Sequence, residues 1–83
     1  MTQNIEITAE WQEVTTSECL IQERTNNGIF IAASDTEPDD TENCFYMNDS
    51  SIKHFPPLDS GSYWAKCPNL RVGAVAKIVV MEL

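Results

Sequence analysis

The sequence predicts an all-β protein, a small antiparallel β-sandwich or barrel of about five or six strands. Apolar residues recur mostly with a period of two, the spacing of a strand with one face on a core. Gly, Pro and Asn mark turns at intervals of roughly ten residues, and no stretch has a convincing helical period. The 83 residues form one domain, residues 1–83, which buries only about 60 to 65% of its unfolded surface. Association with other chains would support so thin a core.

The first half of the chain contains three candidate strands. Residues 5–14 alternate Ile and Ala with Glu and Thr, which predicts one strand, although the Glu and Ala residues would also suit a helix. Residues 19–25 and 29–34 are the other two. Asn27-Gly28 lies between them and can supply the positive φ values of a type I′ turn, so this pair is predicted to form an antiparallel hairpin.

The second half adds three candidate strands and one crossover. The segments NCFYMN (43–48) and SYWAKC (62–67) are aromatic-rich runs flanked by turn residues. Pro56 and Pro57 cannot donate ladder hydrogen bonds, so residues 55–62 are predicted to be a turn or crossover. In residues 72–83 both faces are largely apolar, as in a strand that is covered on both sides or lies at a subunit interface.

The net charge of −8 is distributed unevenly. Residues 1–50 hold eleven acidic side chains and one basic side chain (−10), whereas residues 51–83 hold two acidic and four basic side chains (+2). An acidic domain is repelled by nucleic acid and by anionic membranes, so we expect direct binding to neither. The asymmetry could also guide contacts between copies. No apolar run reaches the roughly 20 residues of a membrane span, and residues 1–10 do not resemble a signal peptide, so we expect no secretion.

Residues 35–43, DTEPDDTEN, concentrate five carboxylates around a proline. An EF-hand loop counted from Asp35 would need glycine at its sixth position and glutamate at its twelfth, where this chain has Asp40 and Tyr46. The pattern therefore favours a solvated loop between two strands. The alternative is an irregular calcium site formed by Asp35, Asp39 and Asp40, since hard cations accept clustered carboxylates.

The cysteines and the single histidine form no recognisable catalytic or metal-binding motif. Cys19, Cys44 and Cys67 are an odd number without CxxC spacing, which predicts buried thiols rather than a disulfide framework or a zinc site. His54 could act as the base for Cys44 or Cys67, but the local signatures of cysteine proteases are absent. Phosphate-binding and dinucleotide-binding glycine motifs are absent too. We therefore expect no enzyme activity, no cofactor, no bound metal and no small-molecule substrate.

Several aromatic side chains could be read as a stacking platform for single-stranded nucleic acid. The net charge opposes such binding, and small β domains use aromatic residues in their cores. Core packing or subunit contact is therefore the better interpretation. These residues are Trp11, Phe45, Tyr46, Tyr63 and Trp64.

The order of the short motifs resembles a widespread group of small tailed-bacteriophage proteins. In that group a tryptophan strand is followed by a “fliQN” strand, a strand ending in a proline-containing polar loop, an aromatic or apolar strand, a “vyArs” strand and a terminal “a.vvV.e” strand. The matching pieces, from Trp11 to the end of the chain, are Leu20-Ile21-Gln22, residues 29–33, Glu37-Pro38, Tyr63-Trp64-Ala65-Lys66 and Ile78-Val79-Val80. The acidity of residues 35–42 and the three cysteines depart from the pattern.

The resemblance implies a structural component of the virion, a β-sandwich subunit attached to the capsid exterior or to the head and tail region. It implies no active-site residues. We expect a subunit made in the host bacterial cytoplasm and located in the virion, whose partners are its own copies, a trimer being favoured, and other virion proteins. The candidate interface residues are Tyr63, Trp64, Val72, Val75, Val79 and Met81.

Two other functions are open on the sequence alone. The protein could be a soluble phage inhibitor that imitates DNA with its acidic surface and occupies a host nucleic-acid enzyme. Mimicry of this kind needs carboxylates spaced like phosphates, whereas here they crowd into one loop and one half of the chain. A small enzyme or a metal-dependent binding module built on the acidic loop is the third possibility.

Overall fold

The computed structural model describes residues 2–25, 27–39, 44–48, 50–68 and 73–83. Within these ranges all regular secondary structure is β, and no helix could span a membrane. The predicted all-β class is confirmed, but the described residues form eight strands where about five or six were expected. The strands are β1 (Thr2–Ile7), β2 (Gln12–Thr15), β3 (Cys19–Glu23), β4 (Ile29–Ser34), β5 (Phe45–Met47), β6 (Ile52–Phe55), β7 (Ser62–Lys66) and β8 (Ala76–Glu82).

The strands form two four-stranded antiparallel sheets, with the order β1-β8-β3-β6 in sheet A and β2-β7-β4-β5 in sheet B. Four of the pairs are nested: β1 with β8, β2 with β7, β3 with β6 and β4 with β5. The chain is therefore one long antiparallel hairpin with the β4–β5 connection at its tip. The hairpin is rolled, so that successive nested pairs alternate between sheet A and sheet B. This is the arrangement of an eight-stranded jelly roll.

The predicted hairpin of residues 19–25 with 29–34 is wrong, because β3 lies in sheet A and β4 in sheet B. Of the positive φ values predicted for Asn27-Gly28, that of Gly28 is found. Gly28 has a φ of +84°, and a side chain at this position would collide with the ring of Tyr46. The amide nitrogen of the Asn27 side chain donates to the carbonyl oxygen of Val75 over 2.7 Å. The turn is thus held by the β7–β8 connection and carries the chain from one sheet to the other.

Two further crossings between the sheets follow from local sequence. The single strand expected over residues 5–14 is two strands, because the chain leaves sheet A after β1 and enters sheet B at β2. The side-chain amide of Gln12 holds this corner: its oxygen accepts from the Thr8 backbone over 2.7 Å and its nitrogen donates to the Glu6 carbonyl over 3.1 Å. The crossover predicted over residues 55–62 is confirmed, since it joins β6 in sheet A to β7 in sheet B.

The core lies between the inner faces of the two sheets. In β8, Ala76, Ile78 and Val80 are buried while Lys77 and Met81 are exposed, as strand alternation requires. Most of the largest fully buried side chains are aliphatic: Ile7, Ile21, Ile29, Ile31, Ile78 and Val80. Two of the three cysteines, Cys19 and Cys67, are buried as predicted, Cys44 is half-buried, and none forms a disulfide.

The connections gather at two ends of the sandwich. The β2–β3, β4–β5 and β6–β7 connections lie together with the last residues of β8 at one end, which we call the acidic end. There the Ser60 hydroxyl donates to Asp35 over 2.9 Å, and the Thr15 hydroxyl donates to Glu82 over 3.1 Å. The other four connections lie at the opposite end, which we call the mixed end.

Two glycines with similar φ values provide a test of the packing at the acidic end. Gly61 has a φ of +79°, and a Cβ there would lie 2.7 Å from the Ser34 carbonyl oxygen. Gly73 has a φ of +77°, and a Cβ there would meet nothing within 4 Å. We expect Gly73→Ala to lower the free energy of unfolding by about 1 to 2 kcal/mol through backbone strain alone. Gly61→Ala should cost about 2 kcal/mol more, because the chain must also shift away from Ser34.

Urea unfolding followed by tryptophan fluorescence measures both effects. Equal losses in the two variants would contradict the close approach of Gly61 to β4.

Candidate interaction surface

The outer face of sheet A carries a contiguous group of aliphatic side chains. Leu20 lies opposite Met81, and Gln22 lies opposite both Val79 and Ile52. Directly opposed residues share a face of a sheet, so these side chains are neighbours. They surround a hollow of 80 Å³. Met81 is 43% exposed and Ile52 63% exposed. We call Leu20, Ile52, Val79 and Met81 the apolar patch.

Charged groups border the apolar patch toward both ends of the sandwich. Toward the acidic end, the carboxylate of Glu18 lies 2.6 Å from Nε2 of His54. Toward the mixed end, Lys77 lies opposite Glu6, and the Arg24 backbone donates to the Lys77 carbonyl over 2.8 Å. These three residues line a concavity of 540 Å³. Sheet A thus presents the apolar patch with two cations and Glu6 at one end and Glu18 beside His54 at the other.

The predicted interface residues of the C-terminal segment lie on or near this face where the structure describes them. Val79 and Met81 belong to the apolar patch. Val75 is half-buried just before β8, at the mixed end, and its carbonyl accepts the hydrogen bond from Asn27. Val72 lies outside the described residues.

The two aromatic interface candidates lie elsewhere. Tyr63 is only 4% exposed, its ring stands edge-on to Phe55 with 5.4 Å between centroids, and its hydroxyl donates to the Pro56 carbonyl. Its ring therefore belongs to the core of a single subunit. Trp64 is half-buried on the outer face of sheet B, where its indole nitrogen donates to the Ser34 carbonyl over 3.1 Å.

Leu20 and Ile52 were not among the interface residues predicted from the sequence. Leu20 alternates with the buried Cys19 and Ile21, so its outward orientation could have been read from the period of two. Ile52 has no such signal, because three of the four residues of β6 are exposed. Only the pairing of β6 with β3 places Ile52 beside the rest of the apolar patch.

The outer face of sheet B presents several other aromatic side chains. Phe30 and Tyr46 are adjacent, with 5.4 Å between ring centroids, and the Lys66 ammonium lies 5.8 Å from the centroid of Trp11. Phe45, another member of the suggested stacking platform, is on the edge strand β5 and is 75% exposed. The five aromatic residues thus divide among the core, one sheet face and one edge, and do not form a single platform.

The sandwich is open between its edge strands β5 and β6. Phe45 lies opposite the buried Ile31, and Lys53 lies opposite the buried Ile21, so both occupy inward-facing rows. Both are nevertheless exposed, and they line a cleft of 350 Å³. This cleft is a third concave surface, and the core residue Ile31 among its lining residues is only 1% exposed.

The acidic run is a connection rather than a strand wherever it is described. Residues 35–39 follow β4, and Asp35, Glu37 and Asp39 are exposed. Asp40, which belongs to the suggested calcium site, and residues 41–43 lie outside the described residues. Among the residues that the structure describes, no group of three or more His, Cys, Asp or Glu side chains could hold a metal ion.

One carboxylate is buried away from this run. Glu23, at the end of β3, is fully buried, and its Oε1 accepts hydrogen bonds from the backbone nitrogen and hydroxyl of Thr25 over 2.6 and 2.5 Å. Its Oε2 has no hydrogen-bond partner among the described residues. The Thr25 hydroxyl in turn accepts from the Lys77 backbone over 3.4 Å. Glu23 therefore fixes the start of the β3–β4 connection against β8.

The buried thiol of Cys19 gives a pH-dependent contribution to stability. Burial, together with the smaller effects of the carboxylates of Glu82 and Glu18, raises its pKa from 9.0 to about 11. Burial also raises the pKa of Tyr63, with added effects of Cys19 and Glu18. Both groups are held in their neutral forms in the folded protein. Their stabilising contribution is therefore complete below the unfolded-state pKa and is lost as the pH rises through the folded-state pKa.

We expect the free energy of unfolding to fall between about pH 9 and pH 11, and to fall less steeply in Cys19→Ala. Cys44→Ala is the matched control and should retain the wild-type slope, because it leaves Cys19 in place. Urea titrations at a series of pH values measure the slopes. Equal slopes in the two variants would show that Cys19 is not the group that titrates.

Comparison with known proteins adds no assignment. No family model, no curated protein and no solved structure matches this chain. Its function is therefore inferred from its own residues and from the architecture that they form.

Proposed function

We propose that this chain is a structural subunit of a tailed-bacteriophage particle, a capsid decoration or head/tail accessory protein without catalytic activity. It is made in the host bacterial cytoplasm and resides in the virion. It associates with its own copies and with other virion proteins through exposed sheet faces. The observation that carries this proposal is the apolar patch on the uncovered outer face of sheet A.

An exposed aliphatic patch favours association on energetic grounds. Full burial of a side chain such as Ile52 or Met81 gains about 1.5 to 3 kcal/mol relative to leaving it in water. A standard stable interface covers about 800 Å² on each partner. The molecule measures 35 × 26 × 16 Å, so one broad face is large enough to form such an interface. Association would also supplement the thin core of a domain of 83 residues.

The jelly-roll fold is compatible with the proposal but is not specific to it. Jelly rolls build viral capsid proteins, and they also build lectins and cupins. A shared architecture hosts many functions, so the weight of the proposal rests on the surface and on the sequence resemblance. The resemblance implies a homo-oligomer, for which we expect three copies, and light scattering measures that number directly.

Charged substitutions within the apolar patch test the proposal. Ile52→Asp and Met81→Asp should each weaken self-association by about 2 kcal/mol or more, roughly thirtyfold, because a carboxylate would be buried without a partner. Both side chains are outside the core, so the free energy of unfolding of the monomer should change by less than about 1 kcal/mol. Light scattering over a range of protein concentrations gives the mass of each variant.

The control is Ala33→Asp, an equivalent charge change at an exposed position of sheet B. It should leave the mass unchanged. If the wild-type protein is monomeric at every concentration, self-association is excluded and this part of the proposal fails.

A second function, inhibition of a host nucleic-acid enzyme by DNA mimicry, is favoured by one observation. Carboxylates from four separate parts of the chain gather at the acidic end: Glu18, Asp35, Glu37, Asp39, Asp59 and Glu82. Competition with duplex DNA for binding to enzymes from a host extract tests this function. If the protein displaces DNA from none of these enzymes, the inhibitory function is excluded.

A further inference from the structure

We propose that two copies of the chain pack the outer faces of sheet A against each other with their strands antiparallel, so that Lys77 and Arg24 of one copy face Glu18 of the other. This inference rests on the self-association in the proposed function and specifies its partner, its surface and its orientation. It is carried by the placement of the charges at the two ends of sheet A.

The acidic end sets the orientation through repulsion. The β2–β3, β4–β5 and β6–β7 connections contain no Lys or Arg, while six of the carboxylates at this end are described. Two faces packed with their strands parallel would bring two such ends together. Like charges juxtaposed across an interface cost several kcal/mol. The antiparallel arrangement separates the acidic ends by the length of the sandwich.

The mixed end supplies the attraction. Lys77 and Arg24 are exposed at this end of sheet A and line the 540 Å³ concavity together with Glu6. Within the described residues neither cation has a carboxylate within 4.0 Å, so neither is neutralised by a direct contact there. Antiparallel packing places a carboxylate, Glu18 of the other copy, over these cations. Such pairs set orientation and specificity more than they add affinity.

The apolar patch supports a twofold arrangement. Val79 is the middle residue of β8 (Ala76–Glu82), which is an inner strand of sheet A. A twofold axis at the level of Val80 brings the apolar patch of one copy onto that of the other. It also brings Lys77 to the level of Glu18, because Glu18 accepts from the Leu83 backbone. The contact is isologous, since each copy contributes the same surface. It therefore joins copies in pairs, in contrast to the three copies expected from the sequence.

Charge reversal on the two sides of the contact tests this geometry. Lys77→Glu and Glu18→Lys should each raise the dissociation constant of the homodimer about tenfold or more, because each places like charges opposite one another at both ends of the contact. An equimolar mixture of the two variants should form a one-to-one heterodimer, since every opposed pair is then Glu with Lys. The double variant should dimerise like the wild type. Lys66→Glu, the same charge change on sheet B, is the control and should dimerise normally.

Light scattering gives the masses, and native mass spectrometry of a mixture with one isotope-labelled variant identifies the heterodimer. Circular dichroism verifies that each variant is folded. If the single variants dimerise as the wild type does, or if their mixture stays monomeric, the orientation is wrong while the proposed function stands. If the wild-type protein forms a trimer, the proposed orientation is likewise wrong and the proposed function stands. A wild-type monomer at every concentration overturns both the inference and self-association.

Discussion

The pairing of β8 with β1 on one side and with β3 on the other is the interaction on which the rest of the structure depends. It joins the two extremes of the described chain and places Ile78 and Val80 in the core. It also creates the outer face on which Val79 and Met81 lie. Because this pairing closes a very long loop, its entropic cost must be met before its contacts are gained. The core and the candidate surface are therefore established together.

The positions of the strands were more predictable from the sequence than the pairing between strands. The period of two and the turn residues correctly indicated strands at β3, β4, β5, β7 and β8, because alternation and turn chemistry are local properties. Pairing in a rolled hairpin is set by distant residues, so the strong Asn27-Gly28 turn signal was assigned to a hairpin that does not exist. β6 was missed because an edge strand with one buried residue shows no alternation.

The candidate surface was predictable only in part, for the same reason. Val79 and Met81 were identified because both faces of the C-terminal segment are apolar. Ile52 and Leu20 join them through register, which no local pattern reveals. Tyr63 shows the opposite limit, because a short aromatic run does not indicate which of its side chains faces inward. The buried Glu23 could not be foreseen either, since carboxylates are seldom fully buried and this one depends on the donors of Thr25.

The position of the acidic run at the tip of the rolled hairpin connects the fold to the proposed assembly. It lies between β4 and β5, the one pair of consecutive strands that bond to each other in the described chain. Charge and proline at such a place keep the three-residue edge strand β5 short and discourage pairing with other chains along that edge. The same charges make one end of the molecule repel its own copies. In the proposed assembly, that edge and that end are therefore unfavourable contact surfaces, and the repulsion between acidic ends would select the antiparallel orientation of two outer faces of sheet A.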